Sequence, residues 1–256
     1  MAAAKRSGRM NDRNQPAAGS LSVMIMAYNE AATIEAVVRE IESHARTLCK
    51  EYELVIIDDG STDGTGLIAD QLAATMRCVR VIHHPTNLGL GYVKRTGYRE
   101  ARYDWVTFFP ADGECPAVIL DMMVPLMSEY DMVLGYIPER TDSWKAIFLA
   151  KCERLLIRLL FGNIPEFCGI YMFRRELLNR LPLTTEGRGW MIQMELIIRA
   201  HRAGCRMISV PTPMRLRTSG TSKVNNLNYI IANLAQLAKL FLIIRFSRRA
   251  GDSNDA

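Results

Sequence analysis

The chain of 256 residues lacks the marks of a scaffold built on metal or disulfides. Its six cysteines, Cys49, Cys78, Cys115, Cys152, Cys168 and Cys205, form no Cys-x-x-Cys pair and meet no histidine at zinc-ligand spacing. They read as reduced cytosolic thiols. No internal repeat is present, which excludes solenoid and propeller architectures. No run of roughly 18 clean apolar residues marks a membrane span. Residues 1–19 carry Lys5, Arg6, Arg9 and Arg13 among Ala, Gly, Ser and Asn, without the apolar core of a signal peptide. Export is therefore not expected, and this stretch reads as a disordered basic tail. The net charge of +5 is modest, and the basic residues are not interleaved with aromatics on one face, so no nucleic-acid partner is expected.

What is present is a chain 49% hydrophobic, able to bury a large core. From Leu21 to Gly135, short apolar runs alternate with helical periodicity. Leu21–Met26, Leu54–Ile57, Val79–Ile82, Trp105–Phe109 and Met132–Leu134 read as strands. Ile34, Val37, Val38 and Ile41 recur at helical spacing, as do Val118, Ile119, Met122, Met123 and Leu126 behind Pro116. This alternation predicts an α/β fold with a mostly parallel sheet flanked by helices. Further on, 143–161 is amphipathic, Gly169–Phe173 and Met207–Val210 read as strands, Trp190–Ala203 as a helix, and a last helix runs from about Asn226 to Arg245. No Pro, Gly or Ser linker divides the chain. One fold over 20–225 is expected, with an amphipathic helix and polar tail over 226–256.

The most informative junction is Leu54-Val55-Ile56-Ile57 running into Asp58-Asp59-Gly60-Ser61-Thr62-Asp63-Gly64-Thr65. A buried strand ending in two carboxylates places acids at the carboxyl edge of a sheet, where α/β proteins bind ligands. The plainer alternative is a solvated turn with Thr62 or Asp63 as helix cap. Four more segments fall at strand ends or loops: Ala27-Tyr28-Asn29-Glu30, Asn87-Leu88-Gly89, Ala111-Asp112-Gly113-Glu114, and Arg217-Thr218-Ser219-Gly220-Thr221-Ser222-Lys223. In the last, cations, hydroxyls and backbone N–H groups can converge on phosphate oxygens.

In their order and spacing these segments resemble the family-2 inverting glycosyltransferases of the GT-A fold, in particular the polyprenyl-phosphate (dolichol-phosphate) mannosyl- and glucosyltransferases. The resemblance covers roughly Leu21 to Lys223. It implies that Ala27, Tyr28 and Glu30 surround the nucleobase and ribose of a nucleotide-diphosphate sugar, and that Asp58 and Asp59 supply contacts to base or ribose. It places Asn87, Gly89 and Lys94 near the donor, and Arg217 and Lys223 on its diphosphate. Asp112 matches the second acid of the family's metal-binding Asp-x-Asp motif, whose first acid is replaced here by Pro110. Asp112 and Glu114 are then the metal ligands for Mg²⁺ or Mn²⁺, hard cations that take oxygen donors.

The resemblance also places the acceptor phosphate near Arg140, Lys145, Lys151, Arg154 and Ser222. A polyprenyl phosphate is anionic at neutral pH and needs no base. A hydroxyl acceptor on a glycan or glycolipid needs one, and Glu195 is then the candidate, its alternative role being an i,i+4 pair with Arg199. Asp112, Glu195 and Arg217 are the candidate catalytic set. A degenerate nucleotide-sugar-binding subunit of a membrane complex is the competing reading, since Pro110 and Pro165 both stand where relatives carry an acid.

Trp144, Ile147, Phe148, Leu155, Leu159 and Leu160 alternate with Lys145, Lys151, Arg154 and Arg158 in a stretch suited to an anionic membrane surface. Ile230, Leu234, Leu237, Phe241 and Ile244 form a second stripe, followed by Arg245, Arg248 and Arg249. Either stripe could instead pack on the core, on a second copy of the chain or on a membrane-protein partner. The expectation is a cytoplasmic protein, peripheral on the cytosolic face of a membrane.

Overall fold

Strand alternation on both faces of one sheet divides the apolar residues into two cores. The computed structural model describes residues 17–138, 155–213, 215 and 237–244. Strand β1 (Ala17–Ala27) turns Leu21, Val23 and Ile25 to one face and Met24 to the other. Strand β2 (Cys49–Asp58) is solvated at Lys50 and Glu51 and buried from Leu54 to Asp58, where helices cover both faces. Helices α1 (Ile34–Leu48) and α2 (Thr65–Thr75) cover the first face, and α3 (Leu90–Glu100) covers the second. Gly97 lets α3 lie close, since a Cβ there would stand 2.7 Å from the Phe108 ring.

Strands β3 (Val79–His83), β4 (Trp105–Pro110), β5 (Met132–Tyr136), β6 (Tyr171–Arg174) and β7 (Met207–Pro211) complete a seven-stranded sheet of order β3-β2-β1-β4-β6-β5-β7. All neighbours are parallel except β6, which is antiparallel to β4 and β5. This mixed, mostly parallel sheet is the expected class. The register pairs Ala27 with Asp58, Asp58 with His83, and Met26 with Pro110. The loops after β1, β2, β3, β4 and β5, and the loop leading into β6, therefore share one edge.

Several boundaries differ from expectation. Strand β1 begins at Ala17, inside the expected tail, because Ala17 pairs with Cys49 through backbone bonds that composition does not reveal. The helix expected after Pro116 divides into α4 (Ile119–Met123) and a 3₁₀ turn (Val124–Ser128). Pro125 has no N–H to continue the α-helical ladder. Gly169, with φ +106°, turns the chain so that β6 starts two residues later. Of the amphipathic stretch, α5 (residues 155–161) is described. It is followed by α6 (Glu176–Arg180), α7 (Met191–Arg202) and α8 (residues 237–244). Leu237, Leu240 and Ile244 of α8 are buried with α7 in the second core, and Phe241 meets Phe161 edge-on at 5.9 Å. The described part of the terminal stripe thus packs inward. Among the described residues, no helix is long and apolar enough to cross a membrane.

Candidate active site

Backbone-directed bonds stitch the first two loops of the edge together. Asn29 adopts the left-handed region (φ 57°), which Asn tolerates better than most residues. There its N–H donates to Ser61 Oγ at 2.9 Å and its Oδ1 accepts from Thr62 N–H at 2.9 Å. Glu30 N–H donates to Thr65 Oγ1 at 2.8 Å, and Ala31 N–H to Asp63 Oδ2 at 3.1 Å. Asp63 is thus a bridge between loops; Gly64 occupies the N-cap position of α2. Ala27 is buried, Tyr28 and Glu30 half-buried, on the rim this stitching creates. Thr33 Oγ1 carries the network on to Ala111 O at 2.7 Å, after β4.

Asp58 and Asp59 are buried, at 4% and 3% exposure, and their oxygens are engaged within the protein. Asp58 accepts from Ser61 N–H at 3.0 Å and meets His83 Nδ1 at 2.9 Å. His83 also meets Asp70 at 3.0 Å, and its pKa is raised by the Asp58 bond first and the Asp70 bond second. Asp59 accepts from the N–H groups of Leu88 and Gly89 at 3.0 and 2.8 Å and meets His84 Nδ1 at 2.7 Å. Asp58 thereby orders the turn after β2, and Asp59 the amino end of α3.

Beyond β4, Asp112 and Glu114 are half-buried across a turn at Gly113, and Asp112 Oδ1 accepts from Glu114 N–H at 3.0 Å. Arg215 locks this turn from outside. Its N–H donates to Glu114 O at 2.8 Å, and its guanidinium makes two 2.8 Å bonds to Glu40 of α1. That bidentate pair, with burial opposing, holds the Glu40 carboxyl below its ordinary pKa. Among the described residues, no three His, Cys, Asp or Glu side chains converge on a metal position. Asp112 and Glu114 supply two hard oxygen donors, a partial fit to a six-coordinate cation that a diphosphate and water would complete.

Glu195 is fully buried. Its carboxylate accepts from the N–H groups of Thr184 and Thr185, from Thr184 Oγ1, and from Arg199 Nε at 2.8 Å. Burial raises its pKa, but the Thr184 and Thr185 donors outweigh that and leave it lowered. A carboxylate so encased does not suit a base at the sheet edge. Its effect is to hold the loop 182–190. That loop reaches α3: Arg188 O accepts from Gly91 N–H at 3.1 Å, and the Arg188 guanidinium donates to Asn87 O at 2.8 Å and to Asn87 Oδ1. A Cβ on Gly91 would stand 2.0 Å from Gly187 O, so only glycine admits this approach.

Lys94 is buried on the sheet-facing side of α3. It is 3% exposed, its Nζ lies 4.7 Å from the ring centroids of Phe108 and Tyr171, and it donates to Tyr171 Oη at 3.3 Å. Burial lowers its pKa to about 7. It faces the core beneath α3. Arg140, Lys145, Lys151, Arg154, Arg217, Ser222 and Lys223 lie outside the described residues. His83, His84, Glu40 and Arg188 were not anticipated. A His-His pair at the end of a strand was the available signal for two of them; nothing local marks Arg188, 101 residues from Asn87.

Comparison with known proteins agrees with this geometry. The family described as glycosyl transferase family 2 matches residues 22–181. A polyprenol monophosphomannose synthase of Mycolicibacterium smegmatis is 30% identical over 219 residues, covering 80% of this chain and 81% of that protein. An undecaprenyl-phosphate mannosyltransferase of Micrococcus luteus is 29% identical over 215 residues, covering 79% and 86%. The fold matches glucosyl-3-phosphoglycerate synthase from Mycobacterium tuberculosis in complex with uridine diphosphate, at TM-score 0.68 and 23% identity over 88% of this chain and 80% of that one. It also matches a mannosyltransferase from Pyrobaculum calidifontis in complex with GDP-Man and Mn²⁺, at TM-score 0.62 and 21% identity over 91% and 66%. The match over residues 22–181, with a relative 30% identical along most of its length, makes this chain a member of glycosyl transferase family 2 with the GT-A fold.

Proposed function

We propose that the protein transfers a hexose, with inversion, from a nucleotide-diphosphate sugar to a polyprenyl phosphate at the cytosolic face of a membrane. The single observation that carries this reading is the similarity along most of the chain to two relatives named for polyprenyl-phosphate mannose chemistry. The stitched loops after β1 and β2 rim the nucleoside site, with Tyr28 and Glu30 facing the base and ribose. Asp112 and Glu114 would hold a divalent cation, Mg²⁺ or Mn²⁺. When bound, the cation neutralises charge on the departing nucleoside diphosphate. Arg217 and Lys223 add cations to the same phosphates, while Arg140, Lys145, Lys151, Arg154 and Ser222 take the acceptor phosphate.

Chemistry then needs little from the protein beyond positioning. An acceptor phosphate oxygen, already anionic, attacks the anomeric carbon as the bond to the diphosphate oxygen breaks on the opposite face. No proton is removed. The burial of Glu195 favours this reading over a hydroxyl acceptor, which would require a base at the edge. Incubation with several nucleotide-sugars, with and without a polyprenyl phosphate and with Mn²⁺ or excess chelator, tests it. A cation-dependent glycolipid product is expected. Transfer only to hydroxyl acceptors, or no turnover of any nucleotide-sugar, would overturn it.

A further inference from the structure

Segment 111–121, which carries Asp112 and Glu114, is bonded along the length of α1. Ala111 N–H donates to Met26 O at 2.9 Å, and Ala111 O accepts from Thr33 Oγ1 at 2.7 Å. At the far end, His44 of α1 meets Asp121 at 2.9 Å. Between these points Ala111, Cys115 and Ala117 turn into the first core with Val37, Val38 and Ile41, which leaves Asp112, Gly113 and Glu114 half-buried at the sheet edge.

A closed ring of bonds spans that turn. Glu40 Oε1 accepts from Ala117 N–H at 3.0 Å and from Arg215 Nη2 at 2.8 Å, and Glu40 Oε2 accepts from Arg215 Nη1 at 2.8 Å. Arg215 N–H completes the ring by donating to Glu114 O at 2.8 Å. The two side chains are 51% and 28% exposed, so their pairing contributes little to global stability. Its position has a more specific consequence. Pro110 stands where the family motif carries an acid, so two carboxylates two residues apart form the protein's share of the cation's ligands. Gly113 between them, at φ +75°, has the widest backbone freedom of any residue type. Two donors on such a turn bind a cation well only when their separation is fixed beforehand.

We propose that the Arg215–Glu40 pair is a positioning clasp for the cation site: by holding Glu114 O and Ala117 N–H, it fixes the turn on which Asp112 and Glu114 present their oxygens. The inference rests on the proposed role of Asp112 and Glu114 as cation ligands, and neither Arg215 nor Glu40 is itself a ligand. Charge alone would give Arg215 the opposite effect. A guanidinium repels a divalent cation, so its removal without loss of positioning would tighten binding.

The test is calorimetric titration of the full chain with uridine diphosphate and with guanosine diphosphate, each in Mn²⁺ and in excess chelator. The ratio of the two affinities is the enhancement due to the cation. Arg215→Met, which keeps the backbone N–H and loses the pair, should cut that enhancement about tenfold or more. Its affinity in chelator should equal that of wild type, and its melting temperature should shift by less than about 3 °C. Arg215→Lys, which keeps the charge and loses the fork, should fall between the two. Glu40→Gln retains an acceptor for Ala117 N–H and should match Arg215→Met, and the double variant should be no worse than either single one, because the two side chains act as a unit. Enhancement at or above the wild-type value in Arg215→Met would overturn the clasp alone, as would equal losses in Mn²⁺ and in chelator. Enhancement absent from wild type, or persisting in Asp112→Asn, would overturn the cation reading and the clasp with it.

Discussion

Along the half of the sheet edge proposed to hold the nucleotide, from β3 to β4, loops are held by side chains at the ends of neighbouring strands. Asp58 orders the turn that follows it, and Asp59 reaches His84 and the amino end of α3. Along the other half, from β6 to β7, the loop 182–190 is held by Glu195, a charge buried inside the next helix, and by Arg188 reaching across to Asn87. The first half is cross-linked loop to loop by several side chains at once. The second depends on one carboxylate and on contacts distant in sequence, so it is the half that substitutions should loosen first.

Asp112→Asn gives the largest expected effect and tests whether chemistry resides at the nucleotide half. Turnover with saturating Mn²⁺ should fall by roughly a hundredfold or more, because the acid proposed to hold the cation loses its charge. The melting temperature should barely move, since the Asp112 bond to Glu114 N–H survives in the amide. Retention of wild-type turnover would remove Asp112 from the site.

Glu195→Gln comes next and separates positioning from base catalysis. The amide cannot accept from both Thr184 and Thr185 with the strength of a carboxylate, and Arg199 loses its partner. Destabilisation by about 2–4 kcal/mol in urea titration is expected. Turnover per folded molecule should fall by less than about tenfold, whereas a true base would cost about a hundredfold or more. The sign of its pH dependence is fixed by its lowered pKa: the stabilisation is full above the ordinary Glu value and is lost as pH falls through the lowered one.

The same contrast explains what could be read without coordinates. The strands, their parallel order and the acidic ends of β2 and β4 follow from apolar runs closed by Asp-Gly turns, because period and turn chemistry are local. The direction in which a carboxylate points is not local. Asp58, Asp59 and Lys94 sit at the expected positions in the fold, yet their side chains bond to exposed His83, buried His84 and buried Tyr171. Glu195 pairs with Arg199, the alternative the spacing offered, and its deeper role toward Thr184 and Thr185 has no sequence signature.

Lys94→Met probes the seam beneath both halves. Its amine, with a pKa lowered to about 7 by burial beside Tyr171, binds fewer protons folded than unfolded. Wild-type stability from this group therefore rises with pH between about 7 and the ordinary lysine value of 10.5, by at most about 1.4 kcal/mol per pH unit. Below that window the full cost of the buried charge is felt. The methionine variant should melt higher at pH 6 and lack the alkaline rise. Identical pH profiles for the two proteins would show that Lys94 finds a solvated conformation.

The smallest effect is expected where the halves touch. Asn87→Ala, Arg188→Ala and the double variant form a cycle whose coupling measures the bond between the β3–α3 loop and the loop 182–190. Both residues are on the solvated rim, so coupling in global stability should stay below about 1 kcal/mol. Coupling in acceptor KM should be larger than in nucleotide-sugar affinity, because the nucleotide half keeps its own bonds through Asp59 while the loop 182–190 loses its only side-chain reach to Asn87. Equal coupling in both substrates would mean that the two halves move as one body, and that the locally stitched nucleotide edge also relies on the distant loop.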